Sequence, residues 1–206
     1  MCGIAGFINE TPINVKTKIV KDMTDVIAHR GPDEYGTMID EHAALGFRRL
    51  SIIDLHGGSQ PMYNEDGSLA VTFNGEIYNY RTLREELIKA GHVFKTDCDT
   101  EVLVHGYEEW GKDLLKRLRG MFAFVIWNKK TQELFGARDH FGIKPFYYAQ
   151  MNGTFMYGSE IKSLLRHPDF KKELNENALK PFMTFQYPAI NETFFKGVFK
   201  LREGHC

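Results

Sequence analysis

The sequence predicts an α+β domain built on antiparallel sheets. β-Branched and aromatic segments arrive in groups separated by short polar turns, the pattern of antiparallel rather than parallel pairing. Helix-like segments cluster between those groups instead of alternating with single strands, so they belong on the outer faces of the sheets. No internal repeat is present, and 206 residues with 43% hydrophobic content suffice for one large domain or a domain plus a tail.

Taken in order, Cys2 to Asn9 is a short apolar run with two glycines, consistent with a buried strand. Val15, Ile19, Met23, Val26 and Ile27 then share one helical face, and His29, Arg30, Gly31 and Pro32 read as its stop. Strands and turns are expected from Tyr35 to Ile53 and again from Leu69 to Phe73. Two helices follow, about Tyr80 to Ala90 with Gly91 as a stop and about Thr100 to Trp110, then a short amphipathic piece at Leu114, Leu115 and Leu118. Further strands are expected at Met121–Trp127, Glu133–Arg138, Pro145–Ala149 and Thr154–Gly158. The texture changes after about Pro168, dividing residues 1–168 from a C-terminal segment, 169–206, with a helical patch near Asn175–Met183 and a run of aromatics. Aromatics left exposed there would need a covering partner, such as a following domain.

Composition narrows the function. Twenty-six basic and 27 acidic residues, with no basic block, argue against a nucleic-acid or membrane surface. Three scattered cysteines make no disulfide framework, and no CxxC or HExxH spacing points to a metal. The expectation is a reduced, cytoplasmic protein without a signal peptide or a membrane-spanning run.

The chemistry starts at Cys2. With Met1 removed, one residue carries a thiol and a free α-amine, whose reference pKa values of about 8.5 and 7.7–8.0 make proton exchange nearly thermoneutral. Such a nucleophile needs a held acyl substrate and an oxyanion hole. Arg49 can bind a carboxylate with its fork, although a strand arginine also suits a plain surface. Asn74-Gly75 is equally a hairpin turn or an oxyanion hole, made by the side-chain amide and the glycine N–H. Asp99 is either a helix cap or, with Glu76, a site for an ammonium group. A carboxylate site, an ammonium site and a thiol for an acyl carbon together describe an amino acid with a reactive side-chain carbonyl, and glutamine fits. Gly57-Gly58-Ser59 lacks the lysine and helix of a phosphate loop and reads as a turn. Cys98 reads as a small buried hydrophobe.

Several blocks occur in a telling order: Cys2-Gly3-Ile4-Ala5-Gly6, His29-Arg30-Gly31-Pro32-Asp33, Arg49-Leu50-Ser51-Ile52-Ile53-Asp54, Gln60-Pro61-Met62, Phe73-Asn74-Gly75-Glu76-Ile77-Tyr78-Asn79, Asp99-Thr100-Glu101-Val102, Gly120-Met121-Phe122-Ala123-Phe124 and Arg138-Asp139-His140-Phe141-Gly142-Ile143-Lys144-Pro145. Through them essentially the whole chain resembles the N-terminal glutaminase domain of glutamine-dependent asparagine synthetases, class II amidotransferases with an N-terminal nucleophile. The resemblance implies a four-layer αββα sandwich. It implies that Cys2 attacks the side-chain amide of L-glutamine while Asn74 and Gly75 stabilise the oxyanion. Arg49 is then expected to hold the substrate carboxylate and Asp99 and Glu76 its ammonium, with backbone groups of Leu50, Ser51, Ile52 and Ile53 completing the pocket. The Ser-Gly-Gly-x-Asp-Ser pyrophosphate loop of the family's synthetase domain is absent from this sequence. No cofactor is therefore expected in this chain, and ATP and Mg²⁺ are expected only in a synthetase domain or subunit outside it. An idle interaction domain that keeps Met1, and an amidotransferase feeding a different acceptor, are the alternatives.

Overall fold

The computed structural model describes residues 1–51, 58–187 and 190–206. In chain order come β1 (Gly3–Ile8), α1 (Ile13–Asp25), β2 (Glu34–Ile39), β3 (Ala43–Arg49), β4 (Met62–Tyr63) and β5 (Leu69–Ile77). Next are α2 (Tyr80–Ala90), α3 (Glu101–Trp110), α4 (Leu114–Arg117), β6 (Gly120–Asn128) and β7 (Glu133–Arg138). The chain ends with β8 (Tyr147–Met151), β9 (Thr154–Gly158), α5 (Ile161–Leu164), α6 (Glu176–Phe185) and β10 (Val198–Lys200). One sheet has the order β10-β8-β9-β1-β3-β2 and the other β4-β5-β6-β7, all pairs antiparallel among the described residues.

Strand alternation sorts the apolar side chains into three cores. Ile4, Leu45 and Phe47 of the first sheet meet Ala70, Val125 and Trp127 of the second between the sheets. Phe7 and Ala44 face outward onto Ile19, Val20 and Met23 of α1. Val71, Phe73, Phe124 and Ile126 face outward onto Leu83 and Leu87 of α2 and Val102 and Leu103 of α3. The layers therefore run helix, sheet, sheet, helix, the expected αββα sandwich. Strands such as β6 are buried on both faces, which is why they read as continuous apolar runs without polar alternation.

Individual elements refine the sequence reading. α2 has the expected bounds and stops at Gly91, whose φ of 108° is left-handed. The β8–β9 turn is made by Asn152 and Gly153, both with positive φ, as a tight hairpin requires. α1 ends at Asp25, earlier than expected, and a short turn covers Ala28–Arg30. Gly31 is not a left-handed cap (φ −148°); its own Cβ would lie 2.4 Å from the Arg48 carbonyl, so it is glycine to let the turn pack against β3. Strand β5 extends to Ile77, past the expected end at Phe73, so Asn74-Gly75 lies inside a strand and is not a hairpin turn.

After Pro168, β10 adds to the edge of the first sheet beside β8, and Phe199 stacks on Tyr148 at 5.6 Å between ring centroids. Phe194 and Phe195 pack within the chain as well, against Phe182 and Phe170. Exposed aromatic surface is instead found at Phe185 and Tyr187, at the end of α6. No helix among the described residues is long and apolar enough to cross a membrane.

Candidate functional site

Period two places the site. On β1 and β3 the residues facing the second sheet are Ile4 and Ala43, Leu45 and Phe47, so Cys2 and Arg49 fall on the same face. The β1–β3 register pairs Gly3 with Arg48, and continuing it by one residue sets Cys2 opposite Arg49. On β5, Ala70 faces the first sheet while Val71, Phe73 and Ile77 face the helices, so Asn74 and Glu76 project back toward Cys2. Asp99 enters from the loop before α3. Cys2, Arg49, Leu50, Asn74, Gly75, Glu76 and Asp99 consequently line one pocket.

The half-buried Cys2 thiol lies between backbone groups of Leu50, accepting from its N–H at 3.4 Å and approaching its carbonyl at 3.6 Å. Burial pushes the thiol pKa up, opposed by the Leu50 N–H and by the positive charges of the chain's N-terminus, Arg49 and Lys144. The thiol is therefore protonated at neutral pH and needs a base to react.

Asn74 is 1% exposed, and its side-chain Nδ2 has no hydrogen-bond partner. A buried unpaired donor is costly, so the position calls for another explanation. Gly75 complements it. Phe73 N–H donates to Gln60 Oε1 at 2.6 Å and Ile77 N–H to Asp99 Oδ2 at 2.9 Å. Strand alternation sends the intervening Gly75 N–H to the same edge, beyond Val71, where β4 pairing has ended. Glycine is required there because a Cβ would sit 2.2 Å from the Met121 carbonyl on β6.

Arg49 is buried and pairs through Nη1 with Glu34 Oε2 at 3.3 Å. Its guanidinium occupies the space beside Gly58, where a Cβ would come within 2.3 Å of Nη2. Gly58 is thus tied to the placement of Arg49, a role that reading it as a plain turn missed. Asp99 does not cap α3: its carboxylate reaches back to β5, and no side chain caps that helix. Burial pushes the Asp99 carboxyl up, the Ile77 N–H opposes this, and the Glu76 charge adds to the rise. Cys98 behaves as expected of a buried thiol, pushed up to about 11 by burial. Ser51 does not line the pocket among the described residues, its N–H instead donating to Asp33 Oδ2 at 2.8 Å. Ile52 and Ile53 lie outside the described residues.

Three residues join the site that sequence reasoning did not assign to it. Arg30 Nε donates to the Cys2 carbonyl at 3.0 Å while its Nη1 pairs with Glu160, so the block read as a helix stop also grips the nucleophile. Gln60 bridges Phe73 N–H and the Thr100 hydroxyl. Lys144 is buried at the pocket, its ammonium pKa lowered by burial and by the Arg30 charge. The Arg138–Pro145 block presents Lys144. Arg138 donates to the carbonyls of Gly142, Lys144 and Leu201, and Asp139 accepts from the N–H groups of Phe122, Phe141, Ile143 and Lys144.

Asp139 makes a stability prediction. Burial raises its carboxyl pKa, but these backbone donors outweigh burial and hold it below the usual value. A depressed carboxyl stabilises the fold above the unfolded-state pKa of about 3.9 and loses that contribution as pH falls through the folded value. Asp139→Asn, which turns an NH₂ toward those donors, should cost about 2–5 kcal/mol at pH 7. Urea unfolding at pH 7 and pH 3 should show a wild-type advantage that shrinks only below about pH 4.

With this geometry in place, a family model described as a glutamine amidotransferase domain matches residues 1–206. Among curated proteins, asparagine synthetase [glutamine-hydrolyzing] 1 of Bacillus subtilis (strain 168) is 45% identical over 99% of the chain, and its paralogue 3 is 40% identical over 100%. The chain spans about a third of the length of these relatives, 33% and 34%. Among solved structures, glutamine phosphoribosylpyrophosphate amidotransferase from B. subtilis superposes with a TM-score of 0.68 at 20% identity, over 84% of this chain and 45% of that one. At that identity the likeness speaks for the fold alone.

Proposed function

Because this chain belongs to the glutamine amidotransferase domain family, we propose that its pocket hydrolyses L-glutamine to L-glutamate and ammonia through a thioester on Cys2. Arg49 binds the α-carboxylate, exchanging its Glu34 partner for a bidentate one. Asp99 and Glu76 bind the α-ammonium, and backbone groups of Leu50 help close the pocket. Loss of Met1 frees the Cys2 amine, which takes the thiol proton as sulfur attacks the amide carbon. Asn74 Nδ2 and Gly75 N–H receive the oxyanion. The amine then protonates the departing ammonia and activates the water that cleaves the thioester.

The observation that carries this reading is the buried Asn74 amide, unpaired in the same pocket as the Cys2 thiol. Ammonia made here would serve asparagine formation from aspartate and ATP in a synthetase domain beyond residues 169–206. The asparagine synthetases of which the chain spans about a third support that destination. ATP and Mg²⁺ would act there and not in this pocket.

Incubation with an electrophilic glutamine analogue, followed by intact mass, tests the reading. The expected product lacks methionine and carries one adduct, and glutamine yields glutamate and ammonia one to one. Retained methionine or absence of the adduct would instead identify an idle domain.

A further inference from the structure

On the far side of the second sheet, the fold gathers four metal-type side chains from three separated segments. Glu65 follows β4, His92 follows Gly91 at the end of α2, and His105 and Glu108 lie one turn apart on the same face of α3. One ligand atom from each lies within 4.8 Å of the other three. None of the four lines the pocket around Cys2.

His105 is the informative member. It is 1% exposed, and its Nδ1 has no hydrogen-bond partner. Its other nitrogen, Nε2, is 3.5 Å from Glu101 Oε1. That carboxylate already accepts from Lys95 N–H, Thr96 N–H and the Thr96 hydroxyl, so it is a fixed acceptor that favours the proton on Nε2. In that tautomer Nδ1 presents its lone pair, 3.2 Å from Glu65 Oε2 without the alignment of a hydrogen bond. A cation between the buried imidazole nitrogen and the more exposed Glu65 carboxylate would pair the two. Glu65 Oε1 is hydrogen-bonded to His92 Nδ1 at 3.2 Å and accepts from Val93 N–H at 3.0 Å. Donors on a tetrahedral zinc ion, with bonds near 2.0–2.2 Å, stand about 3.4 Å apart, so these separations suit ligand edges. The carboxylate on the distal nitrogen of His105 is the outer-shell partner that metal-bound histidines commonly have.

We propose that Glu65, His92, His105 and Glu108 bind one divalent transition-metal ion of the zinc class, a structural site separate from the chemistry at Cys2. Two imidazoles and two carboxylates within 4.8 Å of one another suit zinc better than magnesium or calcium, which favour all-oxygen shells. The ion ties the β4–β5 turn and the end of α2 to α3, the helix whose preceding loop carries Asp99. Glu108, which now accepts from Asn64 Nδ2 at 3.1 Å, closes the fourth position. Histidines at 92 and 105 with glutamates at 65 and 108 match no short metal-binding spacing, so the cluster is created by the fold alone.

The test uses the untagged full chain, stripped with EDTA and titrated with Co²⁺ and then Zn²⁺. We expect one equivalent of Co²⁺ to give the intense visible bands of a tetrahedral site, and Zn²⁺ to abolish them. With free Zn²⁺ at 100 times Kd, Tm should rise by about 5–10 °C. His92→Gln and Glu108→Gln, on the less buried side, should weaken binding about 10-fold or more without unfolding the apoprotein, whereas Cys2→Ala should leave the spectrum and affinity unchanged. Absence of tetrahedral bands in millimolar Co²⁺ would overturn the proposal. So would binding that survives His92→Gln but is lost in Cys2→Ala, which would place the ion on the thiol.

Discussion

Replacing Cys2 by alanine is expected to reduce glutamine hydrolysis by about four orders of magnitude or more, because it removes the nucleophile that forms the acyl intermediate. Cys98 is buried with its pKa pushed up to about 11, which makes it a poor substitute nucleophile. Among the described residues the sulfur removed has hydrogen-bond contact only with backbone groups of Leu50, so Tm should change by no more than a few degrees. Glutamine should still bind, and a steady-state ammonia assay combined with calorimetric glutamine binding separates these effects. Activity lost together with binding would indicate a collapsed pocket and not a missing nucleophile. The wild-type pH profile belongs to the same prediction. Burial keeps the thiol protonated, so kcat/KM should rise as the freed amine loses its own proton near its reference value of about 7.7–8.0. A limb that rose only with direct thiol ionisation would lie above the ordinary thiol pKa.

Asn74→Ala should lower kcat by about 10²–10³-fold with KM nearly unchanged, the signature of a donor used only when negative charge develops on oxygen. Stability supplies the control. A structural asparagine would have hydrogen bonds to lose, but Nδ2 has none in the resting protein. Its removal should therefore leave Tm within a few degrees, or raise it by relieving an unpaired buried donor. Asn74→Asp keeps the size and replaces the donor with a negative charge, and should be at least as inactive as alanine. A large fall in Tm with proportionate loss of both kcat and KM would argue that Asn74 only packs between the sheets.

Much of this was legible along the chain because it depends on neighbouring residues. The helix at Tyr80–Ala90 and its stop at Gly91 follow from local periodicity and from glycine's tolerance of left-handed backbone. The Asn152-Gly153 turn follows from the same chemistry. Alternation along β5 was also present, with Asn74 two residues from Glu76 on one face. Thr72, Asn74 and Glu76 mark that face, but Asn-Gly imitates a turn and so hid the continuation of the strand past Phe73.

Groups whose meaning depends on long-range pairing could not be read that way. Arg30 grips the Cys2 carbonyl across 28 residues, Gly31 is glycine because of β3, and Gly58 is glycine because Arg49 needs its space. Lys144 reaches the pocket only because Asp139 and Arg138 fold the preceding loop around themselves. Glu65, His92 and the His105–Glu108 pair converge from three segments whose separations leave no spacing signal. The sequence by itself determined the kinds of chemistry available: a thiol behind the first residue, a fork for a carboxylate, and carboxylates for an ammonium. Only the tertiary structure decided which of them share a pocket, since the register of β1 on β3 and the stacking of the two sheets depend on pairing and burial between distant segments.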